Sequence, residues 1–140
     1  MSLKVSSCFY LSPLEKDVAK EARKIIDQLD LIDRGYFGKD RKKVIKIKMD
    51  ETLALLDTKP IDLIQNKKEK ADLLFLRGKC LDFNPEYTKQ AEENLSKSIK
   101  LMPTRKEAWD ALGHVYWKKN DIHQSKKCFE GSIEQDENNQ

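Results

Sequence analysis

The stretch that decides the fold is 106-KEAWDALGHVYWKKNDIHQSKKCFEGSIEQDENN-139. Its first part places Trp109, Leu112 and Tyr116 three and four residues apart, which gives one apolar stripe along a helix. Gly113 stands in the middle of that helix, where a glycine costs ~1 kcal/mol relative to alanine. We therefore expect a second helix to cross too close to Gly113 to leave room for a side chain.

The second helix follows a polar break. Asn120 and Asp121 end the first helix, and Asp121 is a good N-cap for the next one, which returns Ser125 and Phe129 towards the first. These intervals resemble those of the tetratricopeptide repeat, a hairpin of two antiparallel helices. The resemblance departs at Ser125, where the repeat usually has alanine, and at Asn120, where it often has glycine.

A weaker copy of the same pattern precedes this unit. Leu74 and Gly78 repeat the spacing of Trp109 and Gly113, with one residue inserted in the following turn around 83–87. A second repeat is expected because one such hairpin cannot bury its own apolar face. The residues expected to form the core of the two repeats are Leu74, Gly78, Ala91, Leu95, Trp109, Leu112, Gly113, Tyr116 and Phe129.

The rest of the chain predicts further helices. Residues 1–12 form a loose arm, and Ser12–Glu15 carries a capping box for a helix that runs to about Arg34. A second helix begins after Asp40 and breaks at 58–60. A further capping box at Thr104–Glu107 marks the start of the strong repeat.

The predicted fold is all-α, a tetratricopeptide-type α-solenoid in which two N-terminal helices precede two helix-turn-helix repeats. We divide the chain into a loose arm (1–12), a helical pair with its linker (13–66), a first repeat with one insertion (67–105) and a second repeat (106–140). The polar end after Ile133 provides no helix to cap the array, so we expect the chain to be the N-terminal part of a longer one.

Composition narrows the class of protein. The chain has 140 residues, of which 36% are charged, and a net charge of +3, which by itself is too small to indicate nucleic-acid binding. It contains neither a run of apolar residues long enough to span a bilayer nor a convincing signal peptide. Its three cysteines are unclustered. We expect an intracellular protein, cytoplasmic, nuclear or both, that does not bind membranes.

No sequence motif indicates catalysis. Glycine-rich phosphate loops and nucleophile elbows are absent, so we expect no enzyme activity, no cofactor and no small-molecule substrate. Cys80, His114, His123 and Cys128 are the candidate ligands for a metal site, but their spacing lacks the paired ligands of zinc sites. Packing and surface roles are the simpler interpretation.

The first helices of successive repeats should line a concave groove that binds a protein or peptide partner. Trp117 is the expected anchor, because it lies beside the core stripe without belonging to it, although it could instead pack on the adjacent repeat. Phe75 and Asp110 occupy positions where the carboxylate clamp of chaperone-binding repeats would need Lys or Asn. The predicted groove residues are Phe75, Lys79, Phe83, Asp110, His114, Trp117 and Lys118.

A basic run from Lys39 to Lys48 holds six cations and one acid. It could contact a phosphate backbone, with Arg41, Lys42, Lys43 and Lys46 as the contacts. The polar side of an amphipathic helix is the simpler interpretation, because no aromatic stacking residues accompany the charges.

Several segments show a closer resemblance. The similarity is to the Strap-like family of stress-responsive cofactors. It covers the inserted turn, Tyr36-Phe37 and residues 78–81, 84–87, 95–103, 107–109 and 112–121. This resemblance implies a scaffold with more repeats and an oligonucleotide-binding-type β-barrel. It also implies a role in nuclear transcription, or at ribosomes, where the family recognises nascent tubulin and triggers decay of its mRNA.

In that family a basic pair faces the ribosome, and Lys97 and Lys100 match it. Two alternatives to a peptide-binding scaffold stay open. One is a factor that contacts the ribosome and a nascent chain, or RNA, through the run from Lys39 to Lys48 together with Lys97 and Lys100. The other is an accessory domain of a larger enzyme.

Overall fold

A computed structural model describes residues 17–35 and 38–138, with the backbone alone for 137 and 138. The described chain is helical, with one 3-10 turn at Ile61–Leu63 between the second and third helices. The expected N-terminal arm, the capping box at Ser12–Glu15 and the Tyr36-Phe37 match lie outside the described residues. The helices are α1 (Val18–Gly35), α2 (Arg41–Asp57), α3 (Lys67–Leu81), α4 (Lys89–Leu101), α5 (Lys106–Lys118) and α6 (Ile122–Asn138).

The helices pack in chain order. α1 pairs with α2, α3 with α4, and α5 with α6, while α3 also contacts both N-terminal helices and α5 packs on α4. The all-α solenoid with an N-terminal pair and two helical hairpins is therefore confirmed. The exact divisions at residues 12, 66 and 105 stay predictions.

Local signals explain the junction between α5 and α6. Asp121 Oδ1 accepts a hydrogen bond from the Gln124 amide at 3.2 Å, so it caps α6 as predicted. Asn120 has a φ of 68°, a left-handed conformation that asparagine tolerates better than most residues, which explains why it can replace glycine there. Helix α5 begins at Lys106 with Arg105 at its N-cap, one residue after Thr104, and the capping box at Thr104–Glu107 stays a prediction. The Arg105 guanidinium pairs with Asp72 of α3.

The two hairpins close over glycines, as the sequence indicated. A Cβ on Gly113 would lie 2.9 Å from the Phe129 ring, and one on Gly78 would lie 2.6 Å from Cγ of Leu95. Both distances are shorter than an ordinary carbon contact, so the helix crossing requires glycine. Ser125 fits in place of alanine because its hydroxyl donates to the Gly113 carbonyl at 2.8 Å.

The predicted repeat core is buried in the first repeat and only partly in the second. Leu95 and Ile99 of α4 are buried, whereas Phe129 and Ile133, one repeat later on α6, are 39% and 59% exposed. The cause is that α5 packs on α4, while α6 contacts only α5 within the described chain. Trp109 and Tyr116 are half-buried, and Leu74, Gly78, Ala91, Leu112 and Gly113 are buried.

Candidate functional site

A groove lies between α1, the C-terminal end of α3 and α5, with a cavity volume of about 350 Å³. We call it the acidic groove, because five carboxylates contribute to its walls. It contains Lys79, Phe83, Asp110 and His114, four of the residues predicted to line the concave face. The complete lining is Asp30, Asp33, Lys79, Asp82, Phe83, Glu107, Asp110, Ala111 and His114.

A charged cluster fixes the floor of the acidic groove. The Asp82 carboxylate, only 14% exposed, accepts a hydrogen bond from His114 Nδ1 at 2.6 Å and forms an ion pair with Lys118 Nζ at 3.0 Å. Lys118 Nζ also donates to the carbonyls of Asp82 and of Asn84, the latter at 2.8 Å. Lys118 therefore joins the end of α5 to the end of α3, and it does not line the acidic groove.

The hydrogen bond that His114 Nδ1 donates to the Asp82 carboxylate raises the pKa of His114 above its ordinary value of 6.5. Burial acts in the opposite direction, but more weakly, because the His114 side chain is more than half exposed. The protonated imidazolium is thus favoured next to the carboxylate. The net charge of the His114–Asp82 pair in the acidic groove therefore changes when His114 gains or loses its proton.

Two of the charged side chains in the acidic groove have no partner in the described chain. Lys79 and Asp110 form neither an ion pair nor a hydrogen bond with another described residue, whereas Asp30 pairs with Arg34 and Glu107 with Arg23. Such groups can bond to a ligand without first breaking an internal pair. They are the two polar groups most available to a ligand.

Besides Lys118, two of the predicted groove residues lie elsewhere. Phe75 is 1% exposed, with the guanidinium groups of Arg23 and Arg105 over its ring at 5.8 Å and 5.3 Å, so its assignment to the groove is wrong. The physical reason is that α1 packs on α3. Trp117 is 59% exposed and does not line the acidic groove, so its role as an anchor for a partner stays a prediction.

Several lining residues were missed by sequence reasoning. Asp30 and Asp33 belong to α1, which has no repeat register to place it over α5. Glu107 and Asp82 are ordinary polar positions near helix ends, and no pattern distinguishes them from solvated charges. Only the packing of α1 against the repeats brings these carboxylates together.

The predicted basic residues fall into two separate sets. Lys97 and Lys100 are exposed on α4, and Lys42, Lys43 and Lys46 are exposed on α2, a helix that does not contact α4. Arg41 is not free, because its guanidinium pairs with Asp33 of α1. Because α2 and α4 do not contact each other, the two basic sets lie on separate helices of the structure.

The cysteines have environments typical of packed side chains. Cys80 is buried and donates to the Met49 carbonyl at 3.6 Å, and burial raises the pKa of its thiol to about 12. Burial raises the pKa of Cys128 to about 11. Within residues 17–35 and 38–138, no three His, Cys, Asp or Glu side chains are grouped as metal ligands would be. In the same ranges, no helix is both long and apolar enough to cross a bilayer.

The sequence comparisons agree with this architecture. Residues 106–139 match the sequence model of the Tetratricopeptide repeat family. This match identifies residues 106–139 as a tetratricopeptide repeat. The chain is 35% identical over 126 residues to Tetratricopeptide repeat protein 5 of Homo sapiens, and 32% identical over 131 residues to that of Mus musculus.

These alignments include 84% of this chain but only 28% of the human protein and 29% of the mouse protein. The chain therefore spans less than a third of the length of the curated relatives it matches. Tetratricopeptide repeats form extended concave surfaces that bind other proteins, and this chain carries that interaction module.

Proposed function

We propose that this chain is a non-enzymatic scaffold inside the cell, Strap-like in character, that binds an extended peptide segment of a partner protein in the acidic groove. The observation that carries the proposal is the pair of charges without a partner in the described chain, Lys79 and Asp110, which line the acidic groove together with Phe83. An extended peptide offers backbone and side-chain groups of both signs, together with apolar surface for the Phe83 ring.

The excess of carboxylates favours a segment that carries a basic residue. Asp30, Asp33 and Glu107 each form one internal ion pair, and those pairs are exposed enough for a ligand cation to share them. Because Asp110 has no such pair, a ligand Lys or Arg beside it would gain a partner without displacing one. The predicted specificity is therefore for a basic segment, without a terminal carboxylate clamp.

The test is a selection of short random peptides on the wild-type chain, followed by affinity measurements on groove variants. Asp110→Lys should weaken the selected peptides by about tenfold, equivalent to about 1.4 kcal/mol. Glu134→Lys is the matched control, since it makes the same charge change at an exposed position of α6 outside the groove lining. Equal affinity for wild type and Asp110→Lys would refute binding in the acidic groove.

A second candidate function is contact with the ribosome through α4. Lys97 and Lys100 lie three residues apart on one exposed face, and within the described chain neither forms an ion pair or a hydrogen bond. If this role applies, Lys97→Glu/Lys100→Glu should abolish co-sedimentation with ribosomes at low salt. Lys126→Glu/Lys127→Glu makes the same charge change on α6 and should have no effect. Similar loss in both variants would indicate only a nonspecific charge effect.

A further inference from the structure

A second cavity, of about 640 Å³, opens between α2 and the C-terminal end of α3. Its floor is apolar, with Ile45 and Leu81 buried and the remaining members half-buried. We call it the α2 pocket. The apolar lining residues are Ile45, Met49, Leu53, Leu81 and Phe83, with Pro85 at the edge.

The α2 pocket has two cations at its rim that the fold leaves unneutralised. Lys42 and Lys46 are one helical turn apart on α2, and within the described chain neither forms an ion pair or a hydrogen bond. The other two cations of the lining are already paired, Arg41 with Asp33 and Lys118 with Asp82. Any further anion that enters the pocket therefore meets Lys42 and Lys46.

The charge along the pocket is graded. Lys42 lies near the N-terminus of α2, whereas Asp50 lies eight residues on, about 12 Å along the helix axis. The first turn of α2 contains no acidic residue, so the partial positive charge of that helix end, offset in part by the Asp40 carboxylate at the N-cap, adds to the two lysines. An anion is favoured at the Lys42 end and disfavoured at the Asp50 end.

We propose that the α2 pocket binds an acidic segment of a partner protein, with one large apolar side chain on the floor and carboxylates beside Lys42 and Lys46. This gives a role to the basic run that the acidic groove does not use. The two sites share Asp33, Asp82, Phe83 and His114, so their occupants would lie side by side on the same face. The acidic groove would take a basic segment, whereas the α2 pocket would take an acidic one.

Protein is favoured over RNA as the occupant. The pocket floor is aliphatic except for Phe83, so it lacks the series of aromatic rings on which successive bases stack. A single apolar depression with cations on one side instead matches a side-chain anchor next to carboxylates.

The experiment uses a fluorescent peptide with one leucine flanked by glutamates, titrated into the full chain. Three comparison probes are the same peptide with alanine for leucine, the same peptide with lysine for glutamate, and a single-stranded polyuridine of similar length. We expect measurable binding of the first probe, at least about tenfold weaker binding of the alanine probe, and no binding of the lysine probe.

The variant Lys42→Glu/Lys46→Glu should weaken the acidic peptide by at least about tenfold. Lys39→Glu/Lys43→Glu is the matched control, because it makes the same charge change four residues apart in the same run, outside the pocket lining. Asp110→Lys should leave the acidic peptide bound, which separates this proposal from the one for the acidic groove.

Three outcomes would overturn the proposal. Equal loss in the two lysine variants would show a diffuse charge effect. Equal binding of the leucine and alanine probes would exclude the apolar anchor. Tight, salt-sensitive binding of polyuridine without binding of the acidic peptide would make the surface an RNA contact instead.

Discussion

Replacing Gly78 by alanine should destabilise this protein, although the same change stabilises most helix interiors. Helix propensity alone would favour alanine by ~1 kcal/mol. However, the new Cβ would lie 2.6 Å from Cγ of Leu95 and 3.3 Å from the Ala91 carbonyl oxygen. Carbon atoms pack best at roughly 3.5–4.0 Å, so α3 and α4 would have to separate by about 1 Å.

The size of the destabilisation depends on whether the side chain next to the new methyl group can move. Leu95 is fully buried, so its side chain cannot rotate into open space to relieve the contact. Overpacking of this kind costs about 1–3 kcal/mol, and the gain in propensity offsets part of it. We expect the free energy of unfolding to fall by about 1–2 kcal/mol for Gly78→Ala.

The assay is urea unfolding followed by far-ultraviolet circular dichroism, with Gly35→Ala as the matched control. A Cβ at Gly35 meets nothing within 4 Å, so that variant should be neutral or more stable by up to about 1 kcal/mol. Stabilisation by Gly78→Ala as large as that by Gly35→Ala would refute the reasoning. A double mutant cycle with Leu95→Ala should give less than additive losses, because the smaller residue makes room for the new methyl group.

Three further predictions come from single side chains. Trp109→Ala should lower the free energy of unfolding, measured in urea, by about 3 kcal/mol, because the indole packs on Gly131 and its N–H donates to the Pro103 carbonyl. Trp117 is exposed, so Trp117→Ala should change the same free energy by less than about 0.5 kcal/mol. Asp82→Asn should lower the pKa of His114, measured by NMR titration. Folding raises the pKa of His114, so the stabilisation of the folded state by this group is complete below the unfolded pKa of 6.5 and is lost as the pH rises through the folded pKa. A wild-type free energy of unfolding that rises over this pH range would contradict this sign. Cys80 should resist iodoacetamide until the chain unfolds, because burial raises the pKa of its thiol to about 12, and rapid native labelling found by peptide mass spectrometry would contradict its burial.

The repeat could be predicted because its signals are local. Gly113, the Asp121 cap and the apolar stripe each depend on neighbours within one hairpin, where the helical period fixes which residues face each other. The same period placed Lys79, Asp110 and His114 on one face. The helical period did not predict the burial of Phe75, because that burial depends on α1, a helix distant in sequence and outside the repeat register.

The contacts of Arg105 show the same limit of local patterns. Its guanidinium pairs with Asp72 and lies over the Phe75 ring, across the boundary between the two hairpins. Both partners belong to α3, so the helical period within one hairpin does not indicate them.

The sequence by itself determined the helices, their pairing into hairpins and the glycines at the crossings, because contacts between residues a few turns apart obey a fixed period. Only the tertiary structure decided which charges meet. Asp33 and His114 come from helices far apart in the chain, yet both line the acidic groove and the α2 pocket. A charged residue on a solvated helix face looks the same in sequence whether it meets water or another helix, so packing alone distinguishes the two.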